Sequence, residues 1–201
     1  MDIKERAMDI FERAKRILRT PKTEWAAIEA EPMTVREIYV DYIVPLAAIP
    51  TVASFLGGWL FGYARPAEGV VHLTFFGGLL RAILQYGVSL PLIYLVALAI
   101  SRLAPQFEGK SDDLRALKLV AFSFTPAWAA GVFGLLPGLR WLDALGLYGI
   151  YLFYLGVARM TQSKPEYADV YTAAGLALGV AASVLHATIL HFLVPISAVA
   201  G

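Results

Sequence analysis

Four polar side chains lie within or beside long apolar stretches and are the first candidates for chemistry: Arg81, Gln85, Asp143 and His186. Ionisable groups at membrane depth are costly, so a functional role is a fair hypothesis for each of them. If their helices meet, the four would line the polar cleft of a small transporter or channel. In the alternative, which we favour, Arg81 reaches the interface or pairs with Asp143 for structural reasons. The sequence has no acidic residue clearly at mid-membrane and no visible inverted repeat, and both absences argue against transport.

Three histidines are candidate metal ligands: His72, His186 and His191, with Glu68 and Asp143 as accompanying carboxylates. Imidazole and carboxylate groups suit zinc and other divalent metals. However, His186 and His191 are five residues apart, so on a helix their side chains point about 140° from each other. Isolated hydrogen-bonding roles are therefore the favoured interpretation, and no metal or cofactor is predicted.

The motifs of the common enzyme classes are missing from the sequence. There is no phosphate-binding glycine loop, nucleophile elbow or HExxH zinc motif, and the chain contains no cysteine. Ser123, Thr125 and Ser183 lack a base at a recognisable spacing. Basic residues alternate with acidic ones, which argues against nucleic-acid binding. The sequence predicts a protein that is not an enzyme.

Composition indicates a membrane protein. Of the 201 residues, 58% are hydrophobic and 16% are charged, against about 25% charged in a soluble domain. Between Lys118 and Arg140 there are 21 consecutive uncharged residues, and one bilayer crossing takes about 20. We predict an all-α, polytopic integral membrane protein with a bundle of five transmembrane helices. After an N-terminal region of residues 1–38, the predicted spans cover about 39–62, 73–101, 116–136, 139–159 and 170–194.

Small residues recur every fourth position in two of these spans. Such ridges allow close helix contact in lipid, which places the last helix in the bundle interior and offers a surface for a homo-oligomer. The ridges are Ser54, Gly58 and Gly62 in the first span, and Gly175, Gly179, Ser183 and Ala187 in the last.

The N-terminal region forms two predicted helices, over residues 2–19 and about 21–30. The first is amphipathic, with Ile10 and Phe11 among its apolar residues and Arg13 and Arg16 among its cations. The second carries Trp25, a residue type favoured at membrane interfaces. We predict that both helices lie at the membrane surface and that these five residues, with Lys110 from a later connection, contact lipid or partners. Alternatively, the first helix packs its apolar stripe on the rest of the protein.

The distribution of basic residues predicts the orientation. With a cytoplasmic N-terminus, and with Arg81 left aside as intramembrane, 14 Lys and Arg residues lie on the cytoplasmic side, and Arg65 and Arg140 lie on the other side. This asymmetry follows the positive-inside rule. A multi-pass protein of the cell (inner) membrane is predicted, with its N-terminus inside and, after five spans, its C-terminus outside.

The chain resembles the YIP family of five-span membrane proteins, the Ypt/Rab-interacting type, in its short prokaryotic form. The resemblance extends over about Pro21 to Tyr171. The matching segments are PKTEWAAIE from Pro21, YIVPL from Tyr42, Gly109 followed by LKLVAFSFTPAW from Leu117, and LYGIYLFYLG from Leu147.

Membership of this family implies five helices, a cytoplasmic N-terminus and no established enzymatic chemistry. Its eukaryotic members resemble trafficking adaptors that bind prenylated small GTPases and one another. This chain has no counterpart of their Asp-Leu-Tyr-Gly-Pro-like signature, so GTPase binding is not carried over. We predict a non-enzymatic adaptor or organiser whose cytoplasmic face binds membrane lipids or other membrane-associated proteins. A small transporter or channel is the alternative.

Overall fold

The computed structural model describes residues 3–65 and 69–194, and this part of the chain is mainly helical. A short antiparallel hairpin, β1 (Tyr63–Arg65) and β2 (Gly69–Val71), joins the first two spans. The α-helices are α1 (Ile3–Arg19), α2 (Pro21–Ala30), α3 (Val35–Ile38), α4 (Val44–Leu60), α5 (Phe75–Leu103), α6 (Asp113–Ser123), α7 (Thr125–Ala130), α8 (Tyr148–Thr161) and α9 (Ala168–Leu193). A π-helical turn covers Tyr39–Ile43, and 3₁₀ segments cover Ala104–Phe107, Gly131–Leu135, Pro137–Leu147 and Pro165–Tyr167.

Five helical stretches in the described residues are long and apolar enough to cross a bilayer. They confirm the predicted all-α, five-span membrane architecture. The stretches are Val35–Leu60, Phe75–Phe107, Asp113–Leu135, Pro137–Thr161 and Pro165–Leu193.

Local sequence explains where two of these helices begin or break. Thr34 and Glu37 form the predicted capping box, in which each side chain accepts a hydrogen bond from the other residue's backbone, so the first span begins there. The third span breaks at Phe124 because Pro126 has no N–H to bond the carbonyl of Phe122. That carbonyl accepts the hydroxyl of Thr125 instead, at 2.8 Å.

The N-terminal helices α1 and α2 fold back on each other around Thr20 and pack into the bundle. Ile17, Trp25 and Ile28 are at most 1% exposed. The Trp25 indole N–H donates to the carbonyl of Leu152 in α8 at 3.1 Å, and the Trp25 ring meets Phe122 of α6 edge to face, with centroids 6.3 Å apart. The prediction that Trp25 contacts lipid or a partner at the surface is therefore wrong.

Trp25 can be buried because α8 has a glycine at the position where the indole packs. A Cβ added at Gly156 would lie 2.6 Å from the Trp25 ring, so glycine at this position permits the close contact. Burial removes the ring from both water and lipid headgroups, and the Leu152 carbonyl satisfies its single donor. Residues 1–38 therefore include a helix that belongs to the core, whereas the proposed interfacial role of α1 stays a prediction.

Burial differs strongly among the spans. In the most apolar window of the third span 67% of residues are buried, whereas in the fifth span only 6% are. The prediction that α9 lies in the bundle interior is wrong, because its ridge of small residues borders an open groove. Among the described residues, a Cβ added at Gly179 on this ridge would meet nothing within 4 Å.

Candidate functional site

A buried carboxylate lies at the N-terminal end of the bundle, where α1 and α2 meet. Glu24 is 5% exposed, and its carboxylate oxygens lie 3.1 Å from Nε of Arg16 and 3.9 Å from Nε of Arg13. Arg13 also pairs with Glu31, and its guanidinium lies 5.6 Å from the centre of the Phe122 ring. Arg13 and Arg16 are predicted charge contacts for lipid or a partner, and in the structure both pair with acidic residues, Glu24 in α2 and Glu31 just after it. A buried carboxylate without such partners would be strongly destabilising.

A buried lysine of α6 donates hydrogen bonds to carbonyls at the C-terminal end of α2. Lys118 of α6 is 4% exposed, and its ammonium donates to the carbonyls of Ile28 and Glu31 at 2.9 and 2.6 Å. The last carbonyls of a helix carry partial negative charge and lack intrahelical partners, so a cation there is favourable. Glu29 adds a third connection, because it pairs with Arg115 of α6 at 3.2 Å and Arg159 of α8 at 2.9 Å.

A polar cavity of about 360 Å³ opens beside these ion pairs. Its walls come from α1, the segment after α2, the π-helical turn and Phe122. Two arginines and four carboxylates line it, so the cavity is suited to a polar, charged group. The charged lining residues are Asp9, Arg13, Arg16, Glu31, Glu37 and Asp41.

The outer side of α1 exposes apolar side chains. Met8 and Phe11 are 62% and 67% exposed. Ile10, one residue from Phe11, is half-buried and packs against the core. Lys110 has an exposed side chain, while its backbone N–H donates to the carbonyl of Thr161 at 2.8 Å. Phe11, Arg16 and Lys110 are thus the predicted contact residues with exposed side chains, although Arg16 is paired with Glu24.

The four residues of the predicted polar cleft do not form one site. His186 of α9 makes a 3.1 Å contact with the backbone oxygen of Gln85 in α5, and Arg81 donates to the carbonyl of Val194. Asp143 lies on the 3₁₀ segment of the fourth span and makes no ion pair with Arg81 among the described residues. The physical reason is that Arg81 finds a backbone partner at the end of α9, so it does not need the carboxylate. Neither of the two cavities described here is lined by Arg81, Gln85 or His186.

Asp143 instead lines a second cavity, an apolar groove of about 590 Å³ between the fourth span and α9. Its walls are mostly small or aliphatic, and we call it the lateral groove. The residues that line it include Ser123, Asp143, Gly146, Gly149, Gly175 and Gly179. Gly146 and Gly149 also allow the fourth span to approach the third, because an added Cβ would lie 3.0 Å from Ala127 and 2.4 Å from the carbonyl oxygen of Ser123.

The histidines do not assemble a metal site in the part of the chain that the structure describes. No group of three His, Cys, Asp or Glu side chains there could hold an ion. His72 is exposed, His186 contacts Gln85, and the ring of His191 lies against Phe192. Glu68 lies outside the described residues.

An exposed ion pair joins the connections after α5 and α8. The carboxylate of Glu108 lies 2.7 Å from the ammonium of Lys164 and accepts the hydroxyl of Tyr167 at 3.1 Å. The hydrogen bond from Lys164, followed by that from Tyr167, lowers the pKa of Glu108, and the hydrogen bond to Glu108 raises the pKa of Lys164. Both residues are solvent-exposed, so the pair adds little to stability.

Three residues with buried polar side chains were not among the predicted site residues: Glu24, Lys118 and Ser123. Glu24 lies next to Trp25 and within reach of two arginines, but only the packing of α1 on α2 reveals that it is buried. In the sequence, Lys118 resembles an exposed charged residue at the start of the third span, so its burial was not expected. Ser123 Oγ is buried and has no hydrogen-bond partner among the described residues, a feature for which a serine in an apolar segment gives no signal.

A family model described as Yip1 domain matches residues 15–187. Two relatives, both named inner membrane protein YohC, come from Escherichia coli K12 and from Escherichia coli O6:H1, strain CFT073. Each is 29% identical over 169 residues, which is 80% of this chain and 84% of the relative. No solved structure matches. Because the family model spans most of the chain and the five helices agree with it, the protein belongs to the Yip1 family of integral membrane proteins.

Proposed function

We propose that this protein is a non-enzymatic adaptor of the inner membrane whose N-terminal end faces the cytoplasm and binds a partner protein through α1. The observation that carries the proposal is the exposure of Met8 and Phe11 on a helix whose opposite side is held in the core. Large apolar side chains kept in a fixed, exposed position are typical of interaction sites.

The anchoring of α1 supports this proposal. Ile17 is buried, and Arg13 and Arg16 are paired with Glu24 and Glu31. A helix that is already ordered loses little conformational entropy when a partner binds. The polar cavity beside α1 would accept a charged side chain of the same partner, so apolar and ionic contacts are available on one surface.

The orientation rests on the 14 basic residues that gather at the N-terminal end against two at the other, in line with the positive-inside rule. The two YohC proteins carry an inner-membrane description, which supports the same location for this chain. Transport remains the weaker candidate, because the residues that would form its cleft belong to separate sites.

Site-specific photocrosslinking in native membranes tests the proposal. A photoreactive phenylalanine analogue replaces Phe11 in one variant and Val170 in a control, since Val170 is also exposed, at 56%, but lies on α9. We expect a discrete protein adduct from position 11 that is absent from position 170. The same adduct should disappear when Met8→Ser is added.

Adducts only with lipid at position 11, or identical protein adducts at both positions, would contradict the adaptor proposal. Circular dichroism of each purified variant checks that the helices are retained. A deletion of the whole of α1 is a poorer test, because it removes Ile17 and leaves the buried carboxylate of Glu24 without its arginines.

A further inference from the structure

The lateral groove has the features of a ligand site in the lipid phase. Its volume of about 590 Å³ falls in the range of about 300–1,000 Å³ that is usual for small-molecule sites. The wall contributed by α9 is a ridge of small residues, and a Cβ at Gly179 would meet nothing within 4 Å. The ridge is therefore uncovered at Gly179, whereas the ring of Phe153 packs on it at Gly175, where an added Cβ would lie 2.7 Å from the ring.

Two polar groups interrupt this apolar lining. Asp143 makes no ion pair with any described residue, because the guanidinium of Arg140, one 3₁₀ turn away, lies over the ring of Tyr63 at 5.3 Å. Ser123 lines the other part of the groove, is 5% exposed and has no partner for its hydroxyl among the described residues. Buried hydroxyls are nearly always hydrogen-bonded, but Oγ of Ser123 has less than 1 Å² of accessible surface, so a ligand atom in the groove reaches it only after a change of the serine rotamer.

The spacing of these two groups indicates the shape of the ligand. Ser123 is level with Gly149, whose Cβ position lies 2.4 Å from the Ser123 carbonyl oxygen. Asp143 precedes Gly149 by six residues, four along the 3₁₀ segment and two in α8, which corresponds to roughly 11 Å. A ligand that satisfies both groups carries a cation at one end, a hydrogen-bonding group roughly 11 Å along its length, and apolar surface for the rest of the groove.

We propose that the lateral groove binds a phospholipid with a primary-amine headgroup, phosphatidylethanolamine in chemical terms. The ammonium pairs with Asp143, an acyl chain lies along the glycine ridge of α9, and an ester carbonyl accepts the hydroxyl of Ser123 once that side chain has changed rotamer. An anionic phospholipid without an amine places only negative charge near the carboxylate, which is unfavourable.

A second copy of α9 fits the groove less well than a lipid. Its described residues, Ala168–Leu193, contain neither lysine nor arginine, and the rings of its two histidines already contact the backbone of Gln85 and the ring of Phe192, so this helix supplies no ready cation for Asp143. A lipid supplies the cation, the hydrogen-bond acceptor and the apolar surface in one molecule.

Native mass spectrometry of the full-length protein in detergent measures the affinity for phosphatidylethanolamine and for phosphatidylglycerol with identical acyl chains. For the unsubstituted protein we expect about tenfold tighter binding of the amine lipid, the size of one charge-assisted hydrogen bond. Asp143→Asn should remove this preference. Asp169→Asn, which changes an exposed carboxylate outside the groove, should keep it.

A second pair of variants tests the groove itself. Gly179→Leu should weaken the binding of both lipids because the side chain fills the groove. Gly87→Leu places the same side chain at another helical glycine with no neighbour within 4 Å, and lipid binding should be unchanged. Equal binding of the two lipids by the unsubstituted protein, or a preference that survives Asp143→Asn, would overturn the proposal. The proposal would also be overturned if Gly179→Leu weakened lipid binding only because it changed the oligomeric state of the protein.

Discussion

The two ends of the bundle are built differently. At the N-terminal end, α1 and α2 complete a core that contains Trp25, Phe122 and Leu152, and ion pairs connect α2 to both neighbouring spans. Toward the β-hairpin end, α9 and the 3₁₀ segment Pro137–Leu147 are separated by the lateral groove. The comparison shows two structural roles for glycine in this protein. Gly156 lets the ring of Trp25 pack closely, whereas Gly179 keeps the lateral groove open.

The largest effect is expected from removing the central ring of the N-terminal core. Trp25→Ala should lower the free energy of unfolding by about 3–5 kcal/mol, because it leaves a large cavity and removes the hydrogen bond from the indole to the carbonyl of Leu152. Trp141→Ala is the control, since Trp141 is 71% exposed and should change stability by about 0.5 kcal/mol or less. Chemical unfolding in detergent micelles measures both. Equal effects of the two changes would mean that α2 is not part of the core.

Loss of the buried ammonium should have the next largest effect. Lys118→Met leaves the carbonyls of Ile28 and Glu31 without their donor, at a cost of about 1–3 kcal/mol. Lys110→Met replaces an exposed lysine in the preceding connection and should be near neutral in the same unfolding measurement. A neutral Lys118→Met would show that the end of α2 does not depend on this contact.

The glycine comparison can be tested with one substitution in each half. Gly156→Ala brings a methyl group within 2.6 Å of the Trp25 ring and should destabilise by about 1–3 kcal/mol through overpacking. Gly179→Ala has open space and a helical backbone, so it should stabilise by about 0.5–1 kcal/mol. Thermal unfolding of the two purified variants gives the sign of each change. The same sign for both would contradict the distinction between the two halves.

The smallest effect concerns the exposed pair at the N-terminal end, Glu108 and Lys164. The pKa of Glu108 is lowered in the folded protein, so its contribution is present above the ordinary glutamate pKa of about 4.3 and is lost as the pH falls through the folded value. The raised pKa of Lys164 gives a contribution that is lost only at strongly alkaline pH. Unfolding midpoints measured between about pH 3 and 6 should fall less steeply for Glu108→Gln than for the unsubstituted protein; identical slopes would exclude a contribution.

Sequence patterns were sufficient for the elements that depend on local chemistry. The uncharged stretch after Lys118 predicts a span, and the spacing of Thr34 and Glu37 predicts the start of a helix. The docking of α2 could not be predicted, because its key hydrogen bond joins Trp25 to Leu152, 127 positions away. An indole suits a membrane interface and a core equally well, and only the tertiary structure decides between them.

Sequence patterns were likewise insufficient to predict the candidate sites. The small residues of α9 were recognised as a ridge, but a ridge does not say whether another helix or a lipid covers it. Asp143 was singled out by its charge, whereas its supposed partner, Arg81, bonds the carbonyl of Val194 instead. Ser123 gained its significance only from the structure, which buries its hydroxyl beside the groove.

The most direct test of the central claim, that α2 is part of the bundle core, is thiol labelling along α2. The chain has no native cysteine, so single cysteines can be placed at Ala27, which is exposed, and at Ile28, which is fully buried. In native membranes opened to reagent from both sides, we predict rapid labelling at position 27 and labelling at least about tenfold slower at position 28, because local opening must precede it. Equal, rapid labelling of the two positions would contradict the account.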